Sequence, residues 1–151
     1  MLAALLAALG WAATELDPAL PPRLAFAGAW HPIVAAGSRE RLAALDYDYP
    51  ALGRLMAEHG WTTVDLVHRR SETVFDARNP FPPGGVYEDP ATGAAAAAFG
   101  GYLRDLGLVA TPATLAVHQG ADLGRPGLIT VGIPARPGAG IDVTGSAVRL
   151  G

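Results

Sequence analysis

The chain has 151 residues, half of them hydrophobic and only 17% charged, so it can form one folded domain and is not a disordered chain. A net charge of −3 gives no basic surface of the kind that nucleic-acid-binding domains carry. With no cysteine, the chain has neither disulfide bonds nor thiolate metal sites, and its four histidines lack metal-ligand spacing. We therefore predict a protein without a metal ion or another cofactor.

The first apolar stretch, Met1–Gly10, fits either a signal peptide or a helix of the mature protein. It has no positively charged start, and no convincing cleavage site follows it. We therefore predict a helix of the mature protein, in a cytoplasmic protein. A proline-bearing connector follows over Asp17–Pro22.

Between residues 23 and 78, strand-like and helix-like segments alternate. Ser38 is placed to cap a short helical turn, and Gly60 ends a longer helix that has one apolar face. Two strand-like runs alternate well enough to pair through a turn at Arg69–Ser71. The predicted segments are the strands Leu24–Ala27, Ile33–Ala36, Thr62–His68 and Glu72–Arg78 and the helix Pro50–His59.

The segment Ala94–Leu103 contains no charged residue and includes a run of alanines. At ~1.5 Å per residue it is about 15 Å long, which is too short to cross a membrane. A helix that is apolar on every side belongs inside a protein core. The pattern therefore predicts an α+β domain in which strands wrap around one buried central helix. The strands predicted after that helix are Thr114–His118, Leu128–Ile133 and Ile141–Leu150.

The residues that enter this helix are the most informative about function. Pro90 suits a first helical turn, and Asp89 and Thr92 can both cap free amides. Gly93 leaves the backbone accessible, and the first amides of a buried helix attract a carboxylate or a phosphate. Helix capping alone and ligand binding are both consistent with this arrangement.

Residues 88–94 read EDPATGA and resemble the EDPATGSA signature of the PhzF-like family, the phenazine-biosynthesis isomerases and their relatives. This chain has Ala94 where the family usually has serine. The resemblance extends over nearly the whole chain. The other similar segments are Ala77–Pro82, Phe99–Gly107, His118–Gly120, Gly124–Gly127 and Val143–Val148.

The resemblance implies a diaminopimelate-epimerase-like fold, which is built from two similar halves that face each other across a cleft. It also implies a full-length protein much longer than this chain. Residues 1–151 accordingly resemble the C-terminal half as a single domain. Residues 1–22 would form a crossover helix and connector, and residues 23–151 a helix-centred α+β domain.

The same resemblance implies an isomerase or epimerase that moves a proton on a small, carboxylate-bearing substrate without a cofactor. Asp89 matches the motif aspartate of the family and is the predicted catalytic residue. Thr92, Gly93, Ala94 and Ala95 are the predicted substrate-binding residues. A buried carboxyl keeps its proton to higher pH, and helix amides can bind a substrate carboxylate. The principal acid/base of the family is a glutamate of the first half, which these residues do not include.

Two functions remain open. The chain is either the substrate-binding half of such an isomerase, from a truncated reading frame or a split enzyme, or a non-catalytic remnant that binds a small ligand or a protein. In the first case we expect activity only when a complementary N-terminal half is added, and we expect the uncovered apolar face to favour self-association. Neither function involves nucleic acid or a membrane. Glu88 is predicted to be structural or solvent-facing, because neighbouring residues diverge in direction. The residues left out of the catalytic set are His31, His118, Gln119 and Arg125.

Overall fold

The computed structural model describes residues 1–149, in which eight strands form one mixed half-barrel sheet with four α-helices. The strands are β1 (Arg23–Phe26), β2 (Trp30–Ala35), β3 (Asp65–Arg69), β4 (Val74–Pro80), β5 (Glu88–Asp89), β6 (Ala113–Gln119), β7 (Gly127–Ile133) and β8 (Asp142–Thr144). The helices are α1 (Leu2–Leu9), α2 (Arg39–Ala43), α3 (Tyr49–His59) and α4 (Gly93–Asp105), and short 3₁₀ turns lie at Ala13–Glu15, Pro82–Gly84 and Ala121–Leu123.

The strand order is β1–β2–β3–β4–β6–β7–β8, and the short strand β5 pairs with the end of β4. The pairs β2–β3 and β4–β6 are parallel, and the other pairs are antiparallel. Parallel neighbours need long crossover connections. Here α2 and α3 lie in the first crossover and α4 lies in the second.

The helix ends follow the capping residues of the sequence. Ser38 accepts a hydrogen bond from the amide of Arg41 at 3.1 Å, which starts α2 as predicted. Asp48 does the same for Ala51 at 2.9 Å at the start of α3. Gly60 ends α3 in the left-handed conformation, with φ of 67°, which glycine adopts without strain.

The sheet separates two hydrophobic cores. On one face, α1 and α3 cover Val34 and Leu66. On the other face, α4 covers side chains of β2, β3, β4, β6 and β7, and its Phe99 packs edge-on against Phe75 with ring centroids 4.8 Å apart. Successive side chains of a strand point to opposite faces, so β2 and β3 each contribute to both cores.

Helix α4 contacts β1, β2 and β3, which precede it in the chain, and β7 and β8, which follow it. Its body is buried at Ala95, Phe99 and Leu103. The prediction of burial on every side is too strong, because Gly93 and Ala94 are exposed and two further small residues are half-buried. These four residues lie along one stripe of the helix, at the spacing of a helical face. They are Gly93, Ala94, Ala97 and Gly101.

The bounds of the predicted strands all differ somewhat from those observed, and two strands are shorter than predicted. The strand predicted from Thr62 starts at Asp65. The strand predicted over Ile141–Leu150 is only Asp142–Thr144, because its pairing with β7 ends at Thr144 and a glycine, which weakens strands, follows. Leu150 lies outside the described residues. Within residues 1–149, no helix has both the length and the apolar character to span a membrane.

The two adjacent glycines of α4 provide a test of how tightly the helix is packed. A Cβ on Gly100 would lie 2.9 Å from Cγ1 of Val131 and 3.0 Å from Cγ2 of Ile141, whereas a Cβ on Gly101 would have no neighbour within 4 Å. Alanine at either position gains about 1 kcal/mol of helix propensity, so comparing the two variants isolates the clash. We expect Gly100→Ala to be less stable than Gly101→Ala by about 1–3 kcal/mol in urea denaturation. Equal stabilities would show that the core side chains move aside without cost.

Candidate functional site

The end of β4 brings the EDPATGA segment into the sheet. Strand β6 pairs with β4 as far as Ala77, opposite Gln119, and β5 then takes over the pairing, with Asn79 opposite Asp89. The other edge of β4 is occupied by β3 up to Arg78 and then by Val64, whose amide donates to the carbonyl of Pro80, so β5 and β6 follow each other along the same edge. Asp89 and Gln119 are therefore neighbours, although thirty residues separate them in the chain.

Asp89, Thr92 and Gln119 form a closed hydrogen-bond network. The hydroxyl of Thr92 donates to Oδ2 of Asp89 at 2.8 Å. The side-chain amide of Gln119 donates to Oγ1 of Thr92 at 2.9 Å and to the carbonyl of Asp89 at 2.8 Å, and its oxygen accepts the backbone N–H of Thr92 at 3.1 Å. Both amide protons of Gln119 and the hydroxyl proton of Thr92 are thus committed. The network fixes the orientation of the Asp89 carboxylate.

The same network leaves the first turn of α4 without a side-chain cap in the described part of the chain. Thr92 is the N-cap residue, but its hydroxyl faces Asp89 and Gln119 instead of the helix amides. The amides of Gly93, Ala94 and Ala95 precede the first intrahelical donor, the amide of Ala96, so they have no partner within the helix. Gly93 and Ala94 are exposed, whereas Ala95 is buried. The open amides and the helix dipole form a place where an anion is stabilised.

The structure therefore brings some of the predicted site residues together. Asp89 and Thr92 are in direct contact, and Gly93 and Ala94 lie next to them at the open end of α4. Ala95 contributes only a backbone amide, because its side chain is inside the core. Asp89 is half-buried, so the argument from full burial of its carboxyl does not apply.

Glu88 lies on the other side of β5 from Asp89 and has a structural role. It is buried and forms a two-point ion pair with Arg78, with Nε and Oε2 3.0 Å apart and a second, short contact between Nη2 and Oε1. Arg78 also donates to the carbonyl of Ala43 at 2.9 Å at the end of α2. The solvent-facing alternative for Glu88 is wrong.

The fully buried carboxyl of this region is Asp65, which the sequence patterns did not single out. It is 2% exposed and accepts a hydrogen bond from Nδ2 of Asn79 at 3.1 Å. Burial raises the pKa of Asp65 to about 7, although the Asn79 hydrogen bond acts in the opposite direction. The sequence feature that could have identified Asp65 as buried is its position in a strand, where its side chain lies on the same face as Val67 of the core.

The four residues left out of the predicted catalytic set differ in the face of the sheet on which they lie and in how exposed they are. His31 lies on β2, where it is fully buried against Thr63, and burial lowers its pKa. His118 is half-buried on the opposite face of β6 from Gln119. Arg125 is exposed. Gln119 belongs to the site despite its omission, because only the tertiary pairing of β4, β5 and β6 brings it to Asp89.

Residues 1–149 contain no group of three or more His, Asp or Glu side chains that could hold a metal ion. The site consists of one carboxylate, one hydroxyl, one amide side chain and open backbone amides. These groups can bind and orient a small anion and place one carboxylate beside it.

Comparison with known proteins identifies relatives over nearly the full length of this chain. The family model described as phenazine biosynthesis-like protein (PhzC-PhzF) matches residues 2–150. An uncharacterized isomerase of Deinococcus radiodurans is 32% identical over 132 residues, which is 85% of this chain and 43% of the relative.

Solved structures show the same architecture. The phenazine biosynthesis protein of the PhzF family from Bacillus anthracis superposes with a TM-score of 0.75 at 20% identity, covering 92% of this chain and 49% of the other. A predicted epimerase from Pseudomonas aeruginosa superposes with a TM-score of 0.72 at 25% identity, covering 95% of this chain and 49% of the other. This chain thus spans about half the length of these relatives. It belongs to the family of phenazine biosynthesis-like proteins.

Proposed function

We propose that this chain is the substrate-binding half of an isomerase or epimerase that moves a proton on a small carboxylate without a cofactor. The observation that carries the proposal is the open first turn of α4, whose cap residue Thr92 is turned away to hold Asp89. Family membership supports the reaction class. The alternative, a non-catalytic remnant of the fold, predicts the same binding without turnover.

The substrate carboxylate would lie against the amides of Gly93 and Ala94. Both residues are exposed, and their amides lie at the positive end of the helix dipole. Asp89 would stand beside the bound molecule and position it or relay a proton. Because Thr92 and Gln119 already hold Asp89, little side-chain ordering would be needed when the substrate binds.

Ala94 reduces the number of contacts that this half offers. A serine at this position, as in the family signature, would add a hydroxyl at the open end of α4 and one hydrogen bond to the ligand. Such a bond contributes about 0.5–1.5 kcal/mol when it is made. The substitution therefore affects affinity and substrate preference more than reaction class.

A site that holds only part of the catalytic groups is consistent with a chain that spans about half the length of its relatives. We propose that residues 1–151 correspond to the C-terminal half of a diaminopimelate-epimerase-like fold and that the principal glutamate belongs to the other half. The uncovered stripe of α4 and the exposed side chains of Leu24, Phe26 and Trp30 at the β1 edge supply an apolar surface for a complementary half or for self-association.

Replacing Ala94 by serine tests the binding site. Titration with 2-aminobenzoate, followed by ¹H–¹⁵N NMR, should shift the amides of Gly93 and residue 94, and Ala94→Ser should bind about 2- to 12-fold more tightly. Ala97→Ser makes the same chemical change one turn along the same stripe, and we expect it to leave the affinity unchanged. Shifts confined to another surface, with Gly93 silent, would contradict the site.

Turnover by the isolated chain tests whether catalysis needs both halves of the fold. We expect no exchange of solvent deuterium into small carboxylic acids that carry an acidic C–H, because an active cleft needs groups that converge from both halves. ¹H NMR in D₂O measures the exchange, with the buffer rate as the reference. Robust exchange by the chain alone, lost in Asp89→Asn, would overturn the proposal and make Asp89 the principal acid/base.

A further inference from the structure

A row of four buried polar side chains crosses β2, β3 and β4 on the α4 face of the sheet. The row starts at His31, passes through Thr63 just before β3, and continues to Asn79 and Asp65. None of the four is more than 2% exposed. Each of the four has a partner within the row, while Nε2 of His31 is buried without a hydrogen-bond partner in the described part of the chain.

The direction of each hydrogen bond follows from the number of protons available. Thr63 has one hydroxyl proton, which it donates to Oδ1 of Asn79 at 2.8 Å. Its oxygen must then accept from Nδ1 of His31 at 2.9 Å, so His31 carries its proton on Nδ1. With its oxygen occupied, Asn79 presents its NH₂ group to Oδ1 of Asp65 at 3.1 Å. The row therefore fixes the orientation of the Asn79 side chain.

One member of the row, Asn79, lies next to the candidate site. Asn79 is the residue of β4 that pairs with Asp89, and β5 consists of only Glu88 and Asp89. The position of this two-residue strand depends on its pairing with the end of β4 as well as on the Glu88–Arg78 ion pair and the contact with Gln119. On three adjacent strands, Asp65, Asn79 and Asp89 occupy neighbouring places.

Ionisation of Asp65 would place a buried negative charge beside the amide of Asn79, the only side-chain partner of Asp65 among the described residues. On the same face of the neighbouring strands, the titratable groups are His31 on β2, whose pKa is lowered by burial, and Asp89 on β5, which is negative when ionised. A buried negative charge without a positive partner is unfavourable.

The other charged residues described near β3 do not offset a negative charge on Asp65. Asp76 and Arg78 of β4 point to the opposite face, where Arg78 is paired with Glu88. Helix α2 packs on that opposite face through Leu42. Helix α4 carries no charged residue before Arg104, near its far end.

We propose that Asp65 and Asn79 are positioning residues for Asp89: their hydrogen bond fixes the end of β4 with which Asp89 pairs, and a negative charge on the buried Asp65 disturbs this arrangement. The importance of Asp89 rests on the proposed function, whereas the coupling between Asp65 and Asp89 does not. A carboxylate ligand would accordingly bind more tightly below the titration of Asp65 than above it.

NMR titration of the full chain between pH 5 and 9 tests the coupling without a ligand. The carboxyl ¹³C resonance of Asp65 should titrate near pH 7, since burial raises its pKa to about 7, and the amides of Asn79, Asp89 and Thr92 should follow the same midpoint. In Asp65→Asn, which keeps the neutral form, the shared step should disappear. His118→Gln removes a histidine of the opposite face and should leave the step in place. An Asp65 carboxyl already ionised at pH 5, or Asp89 and Thr92 amides that do not respond to its titration, would overturn the inference.

Ligand binding separates this inference from the proposed function. In the wild type, the affinity for 2-aminobenzoate should fall several-fold between pH 6 and 8, and in Asp65→Asn it should stay constant. Equal pH profiles in the two proteins, with binding intact, would overturn the inference alone. Absence of binding in both would count against the proposed function, and the amide titration would still decide the coupling.

Denaturation provides a check that does not depend on resonance assignments. Asp65 is protonated in both states below its ordinary pKa of 3.8, and between 3.8 and about 7 only the folded state keeps the proton. The stability associated with the protonated form is therefore lost as the pH rises to about 7. Relative to Asp65→Asn, the wild-type unfolding equilibrium constant should rise by up to about a thousandfold over this range. A ratio that does not change with pH would contradict a protonated Asp65.

Discussion

Near its end, β4 stops pairing with β6 and pairs with β5 instead, and the rest of the site depends on this change. Ala77 is the last residue of β4 that pairs with β6, and Asn79 pairs with β5 instead. Because β5 and β6 share one edge of β4, a glutamine at the end of one strand reaches the backbone and side chains that enter α4. The hydroxyl of Thr92 is then used to hold Asp89 and is not available to the helix. The open helix end is thus a product of sheet pairing, not of the helix sequence.

Local patterns were sufficient for most of the fold. The caps at Ser38 and Gly60, the helix before Gly60 and the strands on both sides of the central helix all follow from short-range rules of capping and alternation. Uncharged composition was a weaker guide for α4, because glycine and alanine have little side chain to show which face is covered. The stripe that starts at Gly93 is exposed at its first two residues and half-buried further along, in spite of its apolar sequence.

The candidate site was only partly predictable for a different reason. Asp89 and Thr92 belong to one continuous motif, so the sequence places them together. Gln119 and Asp65 reach the site through pairing between strands that are distant in the chain, which no local pattern encodes. The raised pKa of Asp65 depends on burial beneath the sheet surface, whereas Asp89, for which burial was expected, is half-buried. The chemistry of the region is therefore divided between a motif and its supporting strands.

The ion pair between Glu88 and Arg78 has a consequence for how the site responds to ionic strength. Glu88 and Asp89 are adjacent in sequence, but the Glu88 side chain is only 2% exposed and Asp89 is half-buried beside the open end of α4. Dissolved salt screens exposed charges over a distance of about 8 Å at physiological concentration and reaches buried pairs much less. Added salt will therefore weaken the attraction between an anion and the helix end while the attachment of β5 to Arg78 persists. Anion binding at the helix end beside Asp89 and the attachment of β5 through Glu88 therefore respond differently to salt.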